Sequence, residues 1–194
     1  MPTPRPNRKD EKARATRRRI LAAATELFAR QGFHKTTTAD LAAAIGMTQG
    51  ALFYHFPNKE ALLRAVLDRL ARGLDAYRAL LAGPPSADTV RRVVGLMVEH
   101  FRRQPEATIC LAALATEFAG SGDPILERIR DIYDTFVLPF EQVLARHPRI
   151  SCPRAAAVSF IGAVQGIAIQ GLLREGNPSI DELARGFLHM LGEW

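Results

Sequence analysis

Cysteine is scarce in this chain: two residues in 194, Cys110 and Cys152. They are too few and too far apart to form a disulfide framework, and a reduced, cytoplasmic setting is the economical reading. The five histidines and two cysteines fall at no metal-ligand spacing. No nucleophile elbow, phosphate loop or dinucleotide fingerprint occurs. Those absences leave no catalytic residue, metal or cofactor to assign, and the expectation is a protein that is not an enzyme. The stretch MPTPRPNRKDEKARATRRR at the start contains no apolar run, so it does not read as a secretory signal. Strand-like alternation is nearly missing as well.

One long run does lack charge: 155–173, AAAVSFIGAVQGIAIQGLL. It is long enough to test for a membrane span and contains the G-x-x-x-G pair Gly162 and Gly166. Its serine, two glutamines, three glycines and five alanines make it only weakly apolar. A helix buried on all sides is the better reading, with no membrane partner.

What the sequence does have is positive charge, unevenly placed. The net charge is +6. Residues 1–60 hold eleven Lys and Arg against five Asp and Glu, whereas 61–194 hold fifteen of each. All the excess therefore lies in the first third, which raises the expectation of a polyanionic partner there. Helical periodicity dominates the chain, and apolar residues make up 47 % of it. The expected fold is all-α with about nine helices: an N-terminal helix-turn-helix module on a helical-bundle body.

Residues 1–15 read as a basic arm, disordered until a partner binds. A first helix starts at the N-cap Thr16, buries Ile20, Leu21, Ala24, Leu27 and Phe28, and stops at Gly32. A second runs from a Thr37/Asp40 capping box to Ala44. After Ile45-Gly46-Met47, a third starts at Thr48 and ends at Pro57. A fourth extends from the Asn58 cap to Leu81. Five more are expected over 87–103, 106–119, 124–146, 153–174 and 179–191. Asp123 caps the third of these, Pro139 should kink or split it, and Ser179 with Glu182 forms a capping box on the last. The boundary between the small N-terminal module (16–62) and the body (63–194) falls inside the fourth helix, which the small module needs to complete its core.

Two short helices joined by a tight glycine-containing turn form a helix-turn-helix, whose second helix enters the DNA major groove. TQGALFYHF, 48–56, suits that second helix. Leu52 and Phe56 can face inward, leaving Gln49, Gly50, Ala51, Phe53 and His55 in front. Small residues at 50 and 51 permit close approach, and Gln49 can read an adenine edge. Phe53 is equally compatible with the core. Lys59 lies in the first turn of the next helix, where a cation opposes the helix dipole unless a phosphate docks there. A solvated surface lysine is the alternative.

GFHKTTTADLAAAIGMTQGALFYHFPNKEALL, 32–63, resembles the DNA-binding signature of the TetR family of bacterial transcriptional repressors. The likeness is dense over 16–70; beyond that only the helix count and the two C-terminal helices fit. The resemblance implies a homodimer that binds a palindromic double-stranded operator and releases it when a small molecule enters the body. By position, Thr37 and Thr38 would meet phosphate at the start of the second helix. Thr48, Gln49, Gly50, Ala51, Phe53, Tyr54 and His55 would face bases or the groove wall. Lys59 would hold phosphate, and Thr16 and Arg17 would reach the backbone. The family usually has Tyr where this chain has Phe53, so Tyr54 would have to supply the phenol. Ala39 stands where some members carry a base-reading side chain.

In the body, Met97, His100, Phe101, Cys110, Leu114, Glu117, Phe118, Tyr133, Phe136, Phe140 and Gln165 are candidate contacts to a largely apolar effector. Of these, His100, Glu117 and Gln165 stand out, because polar groups on apolar helices are costly without partners. Phe160, Gly162, Gly166, Ile169, Leu183, Phe187 and Met190 mark the expected dimer interface. Two other readings remain open: an activator or nucleoid-type DNA binder without an effector, and a helical small-molecule carrier.

Overall fold

A computed structural model describes residues 8–81, 88–146 and 148–192. Among the described residues there are ten α-helices and no strand. They are α1 (Arg8–Gln31), α2 (Thr38–Ala44), α3 (Gln49–His55), α4 (Lys59–Arg72), α5 (Asp75–Leu81), α6 (Thr89–Arg103), α7 (Pro105–Phe118), α8 (Ile125–Leu144), α9 (Pro153–Leu173) and α10 (Ile180–Met190). The all-α architecture and nearly every boundary match the sequence pattern. The extra helix arises because the expected 58–81 helix breaks at Gly73 and Leu74.

Three local expectations need correction. The first helix begins at Arg8, so Thr16 is no N-cap; its hydroxyl donates back to the Lys12 carbonyl at 3.0 Å inside the helix. Residues 8–15 are thus helical, not a disordered arm, while 1–7 lie outside the described residues. Of the kink or split expected at Pro139, the split does not occur, since α8 continues to Leu144. Proline removes one amide donor, and the packing of α8 on α9, α4, α5 and α7 outweighs that loss.

α1 packs chiefly on α7 and also on α4 and α2, so the first helix belongs to both halves of the molecule. Its stripe of Ile20, Leu21, Ala24 and Phe28 is buried, with Phe28 fully enclosed. Exposed ion pairs register the remaining helices. Arg128 reaches Asp68 at 2.7 Å between α8 and α4, and Arg154 spans Asp134 and Glu141, both at 3.2 Å, between α9 and α8. Arg102 pairs with Asp181 between α6 and α10.

α9 is long and apolar enough to cross a membrane by length and composition, yet it packs against α6, α7, α8 and α10. It is not buried on all sides. Val158, Gly162, Ile169, Leu172 and Leu173 are exposed along one face, and Met190 of α10 is 80 % exposed. Phe160 turns away from that face. It is buried and stacks on Phe140 at 4.4 Å and on Phe187 at 5.6 Å between ring centroids.

Candidate DNA interface and effector cavity

The helix-turn-helix is built by local hydrogen bonding that the sequence dictates. The Thr37 hydroxyl accepts from Asp40 N at 3.1 Å, and the Asp40 carboxylate accepts from Thr37 N at 2.9 Å. The backbone bond from Thr37, then its side-chain bond, hold the Asp40 carboxyl below its ordinary range. Gly46 turns the chain in the left-handed region at φ +66°, which a side chain would disfavour. Thr48 caps α3 by accepting from Ala51 N at 3.2 Å.

Leu52 and Phe56 are each 2 % exposed, and they anchor α3 against the module's core. That leaves Gln49, Gly50, Phe53 and Tyr54 exposed and Ala51 and His55 half-buried. Phe53, 41 % exposed, is therefore no core residue, and Tyr54 is 81 % exposed. The Thr38 hydroxyl donates to Gln49 Oε1 at 3.2 Å, which ties α2 to α3 through the amide oxygen and leaves the NH2 end outside that bond.

Two residues expected at phosphates make hydrogen bonds within the protein. The Arg17 guanidinium donates to the His55 carbonyl at 2.8 Å and lies 4.0 Å over the Phe56 ring, clamping the end of α3 to α1. Arg19 does the same for the turn, donating to the Ile45 carbonyl at 3.2 Å. The Lys59 ammonium is encircled by the carbonyls of Phe33 (3.1 Å), His34 (3.4 Å) and Thr36 (3.0 Å), and it sits 4.3 Å over the Phe33 ring. Three carbonyls occupy its three donors, so Lys59 closes the α1–α2 loop where the sequence suggested a phosphate ligand or a solvated cation. Lys59→Ala is accordingly expected to lower the melting temperature while leaving the salt slope of DNA binding unchanged. A true phosphate contact would reduce that slope by about one, which a salt titration of DNA affinity reads directly.

Glu117, expected at the effector, grips the same loop from the other side. Its carboxylate accepts from Phe33 N and His34 N, both at 2.7 Å, and from His34 Nδ1 at 2.6 Å. Phe33 is wedged between Phe28 and Phe118, with ring centroids 5.5 and 5.7 Å away. A carboxylate of α7 and a lysine of α4 thus hold the loop that leads into α2. Partial burial pushes the Glu117 carboxyl upward, but the bonds from His34 and Phe33 outweigh it and hold the group below its ordinary 4.5. A folded-state value below the unfolded one gives stability that is full above about pH 4.5 and lost as pH falls through the folded value. The stability gap between wild type and Glu117→Gln should therefore be present at pH 7 and close toward pH 3, as urea unfolding at both pH values would show.

Of the remaining candidate effector residues, the structure gathers Met97, His100, Phe101, Tyr133, Phe136 and Gln165 around one cavity of about 820 Å³, counting its mouth. Tyr77, Leu111, Ile132 and Ile161 join them from α5, α7, α8 and α9. Cys110, Leu114 and Phe118 do not line it; they are 0–2 % exposed in the core between α7 and its neighbours. Burial pushes the Cys110 thiol up to about 12, which makes it inert. Phe140 borders a different apolar pocket beside Phe160 and Phe187.

The cavity wall has few polar groups. Gln165 Nε2 donates to the Tyr133 hydroxyl at 2.8 Å, and the Tyr77 hydroxyl donates to the Leu96 carbonyl at 2.8 Å. Burial keeps both phenols protonated and lowers His100 from its ordinary value, favouring a neutral imidazole. Tyr77 was invisible in the sequence because its helix starts after an unforeseen break. Phe33, His34 and Arg19 escaped notice because their roles depend on partners distant in sequence. Among the described residues no group of His, Cys, Asp and Glu could hold a metal ion.

Residues 20–66, which span the buried half of α1, the helix-turn-helix and the first part of α4, match the family model described as bacterial regulatory proteins, tetR family. Over this segment the chain is similar to the TetR family of bacterial regulatory proteins. It is 44 % identical over 63 residues to the HTH-type transcriptional regulator TtgR of Pseudomonas putida, covering 32 % of this chain and 30 % of that protein. It is 28 % identical over 115 residues to the nucleoid occlusion factor SlmA of Actinobacillus pleuropneumoniae, covering 58 % of this chain and 56 % of that one. The chain thus matches from under a third to just over half the length of these curated relatives. The crystal structure of NalD, the secondary repressor of the MexAB-OprM multidrug efflux pump in Pseudomonas aeruginosa, superposes with a TM-score of 0.65 and 27 % identity. That superposition covers 92 % of this chain and 94 % of NalD.

Proposed function

We propose that this chain is a cytoplasmic one-component repressor of the TetR family that binds a palindromic operator as a homodimer and releases it when a small, largely apolar effector fills the body. The exposed front of α3 carries the reading. An amide, a glycine and two aromatic rings stand in solvent on a helix otherwise fixed by caps, arginine clamps and a buried Leu52 and Phe56. We assign base contact to Gln49, Gly50, Ala51 and Phe53. Tyr54, Thr37, Thr38, Thr48 and His55 contribute groove-wall and phosphate contacts, and Thr16, half-buried in α1, stays a candidate backbone contact. Residues 16–62 form the DNA-contacting module and 63–194 the effector and dimer body.

Two-fold symmetry requires half-sites about one helical turn, roughly 34–36 Å, apart. Gln49→Ala should shrink the difference between operator and random duplex by about 1–3 kcal/mol, measured as the ratio of the two dissociation constants by fluorescence anisotropy. An unchanged ratio would remove Gln49 from the reading face.

The likeness to SlmA supports a second reading, a nucleoid-type DNA binder without an effector. The apolar cavity walled by Tyr77, His100, Tyr133 and Gln165 favours the effector-responsive one. Addition of a cavity-binding compound separates them, because only the first predicts that DNA affinity falls.

A further inference from the structure

A crevice between α1, α4 and the α6–α7 junction contains an anomaly. Arg69 Nη1 is buried and has no hydrogen-bond partner among the described residues. A buried guanidinium nitrogen without a partner is costly even where, as here, the side chain as a whole is half-buried, and such groups are normally paired or hydrogen-bonded. Every other arginine clamp described above has found its carbonyl or carboxylate. Arg69 has not, although Glu26 and Glu106 also line the crevice. Glu26 pairs with Arg30 at 3.6 Å, and Glu106 stands exposed in the first turn of α7.

The position of the crevice gives the orphan a meaning. Leu70, His100 and Ala107 wall both the crevice and the apolar cavity, so the two spaces share a boundary. At that boundary the His100 ring lies against Gly73, where an added Cβ would come within 3.5 Å of His100 Cε1. The cavity lining itself holds no Arg, Lys, Asp or Glu. A negatively charged effector could not be neutralised inside it, and the unpaired cation lies just beyond the shared wall.

We infer that Arg69 is the head-group site of the effector: the ligand is an apolar molecule bearing one anionic group, a carboxylate or sulfonate, whose body fills the cavity and whose anion passes His100 to pair with the guanidinium. This rests on the effector reading above and narrows it to a ligand class. Charge-assisted pairing in a partly desolvated site is strong, and a cation on α4 places the ligand's pull on the helix that leads directly out of the helix-turn-helix.

The test uses two fluorescent probes with the same aromatic body, anilinonaphthalene sulfonate and the uncharged phenylnaphthylamine, titrated into the full chain. Wild type should bind the sulfonate at least about tenfold tighter than the neutral probe, the scale of one charge-assisted contact. Arg69→Gln should erase that preference while leaving the neutral probe within twofold, and Arg69→Lys should keep most of it. Because the guanidinium has no partner to lose, Arg69→Gln should melt no lower than wild type. A lower melting temperature, or failure to fold, would make Arg69 a structural residue and overturn the inference. So would an Arg69→Gln protein that still prefers the sulfonate. If wild type binds the neutral probe but shows no preference, only this inference falls; if it binds neither, the effector reading falls with it.

Discussion

A Gly166→Leu protein is expected to lose both its self-association and its operator while keeping its fold. Within the protomer, a Cβ at Gly166 or at Gly162 would meet nothing within 4 Å, so the side chain has room and nothing in the single chain opposes it. Replacing a helical glycine even favours the helix by up to about 1 kcal/mol. The damage arises only if another surface approaches that face. Val158, Ile169, Leu172 and Leu173 are 41–71 % exposed along the same side of α9, a stripe too apolar to stay in water. A two-fold pairing of this face brings each Gly166 against its mate's helix, so every interface carries the substitution twice. Overpacking costs about 1–3 kcal/mol per site, and two sites give a self-association weaker by roughly thirtyfold or more. Operator affinity should fall by about 10²–10⁴ as the two half-sites lose their linkage. Sedimentation velocity and fluorescence anisotropy on the same preparation read both effects. A Gly166→Leu dimer that binds DNA normally would show that the α9 face is not the interface.

Glu117→Gln carries the second large effect, on communication between the two halves of the molecule. The carboxylate accepts two backbone amides and one imidazole N–H from Phe33 and His34 with its two oxygens. Glutamine preserves the shape but turns an NH2 toward one of those donors. Leaving a part-buried donor facing another donor, and losing charge-assisted bonds, costs about 2–4 kcal/mol. The loop then hangs on Lys59 and the Phe33 wedge alone. Because α7 lines the cavity and the loop leads into α2, this contact joins the two by hydrogen bonds, alongside the covalent route through α4. The expected phenotype is specific: effector binding unchanged, operator affinity reduced, and the effector's influence on operator affinity cut to about twofold or less. An unaltered effector response in Glu117→Gln would place the coupling elsewhere, with α4 the remaining route.

Much of this was legible in the sequence, for identifiable physical reasons. Helix edges were set by local chemistry: the Thr37/Asp40 and Ser179/Glu182 capping boxes and the Thr48 and Asn58 caps all sit where short-range bonding demands. The front of α3 followed from helical spacing, since burying Leu52 and Phe56 leaves Gln49 and Phe53 outside. Long-range partners were not legible. Glu117 and Lys59 are 83 and 25 positions from His34, and no local pattern announces that an acid of the body and a base of α4 close one loop. The same holds for Arg17, whose partner His55 lies 38 positions away. The extension of α1 to Arg8 was hidden by charge: a run of arginine and lysine reads as a solvated arm, yet these are good helix formers once a packed helix gives them a nucleus to extend.

Selection from a random-sequence duplex pool tests the central claim most directly. If the chain acts as the proposed dimer, it should enrich duplexes carrying an inverted repeat whose half-sites lie about one helical turn apart. Affinity for the enriched site should exceed that for the starting pool by about 10³-fold or more and fall steeply with salt. A pool that emerges with no symmetric sequence, bound no better than random duplex, would contradict the account.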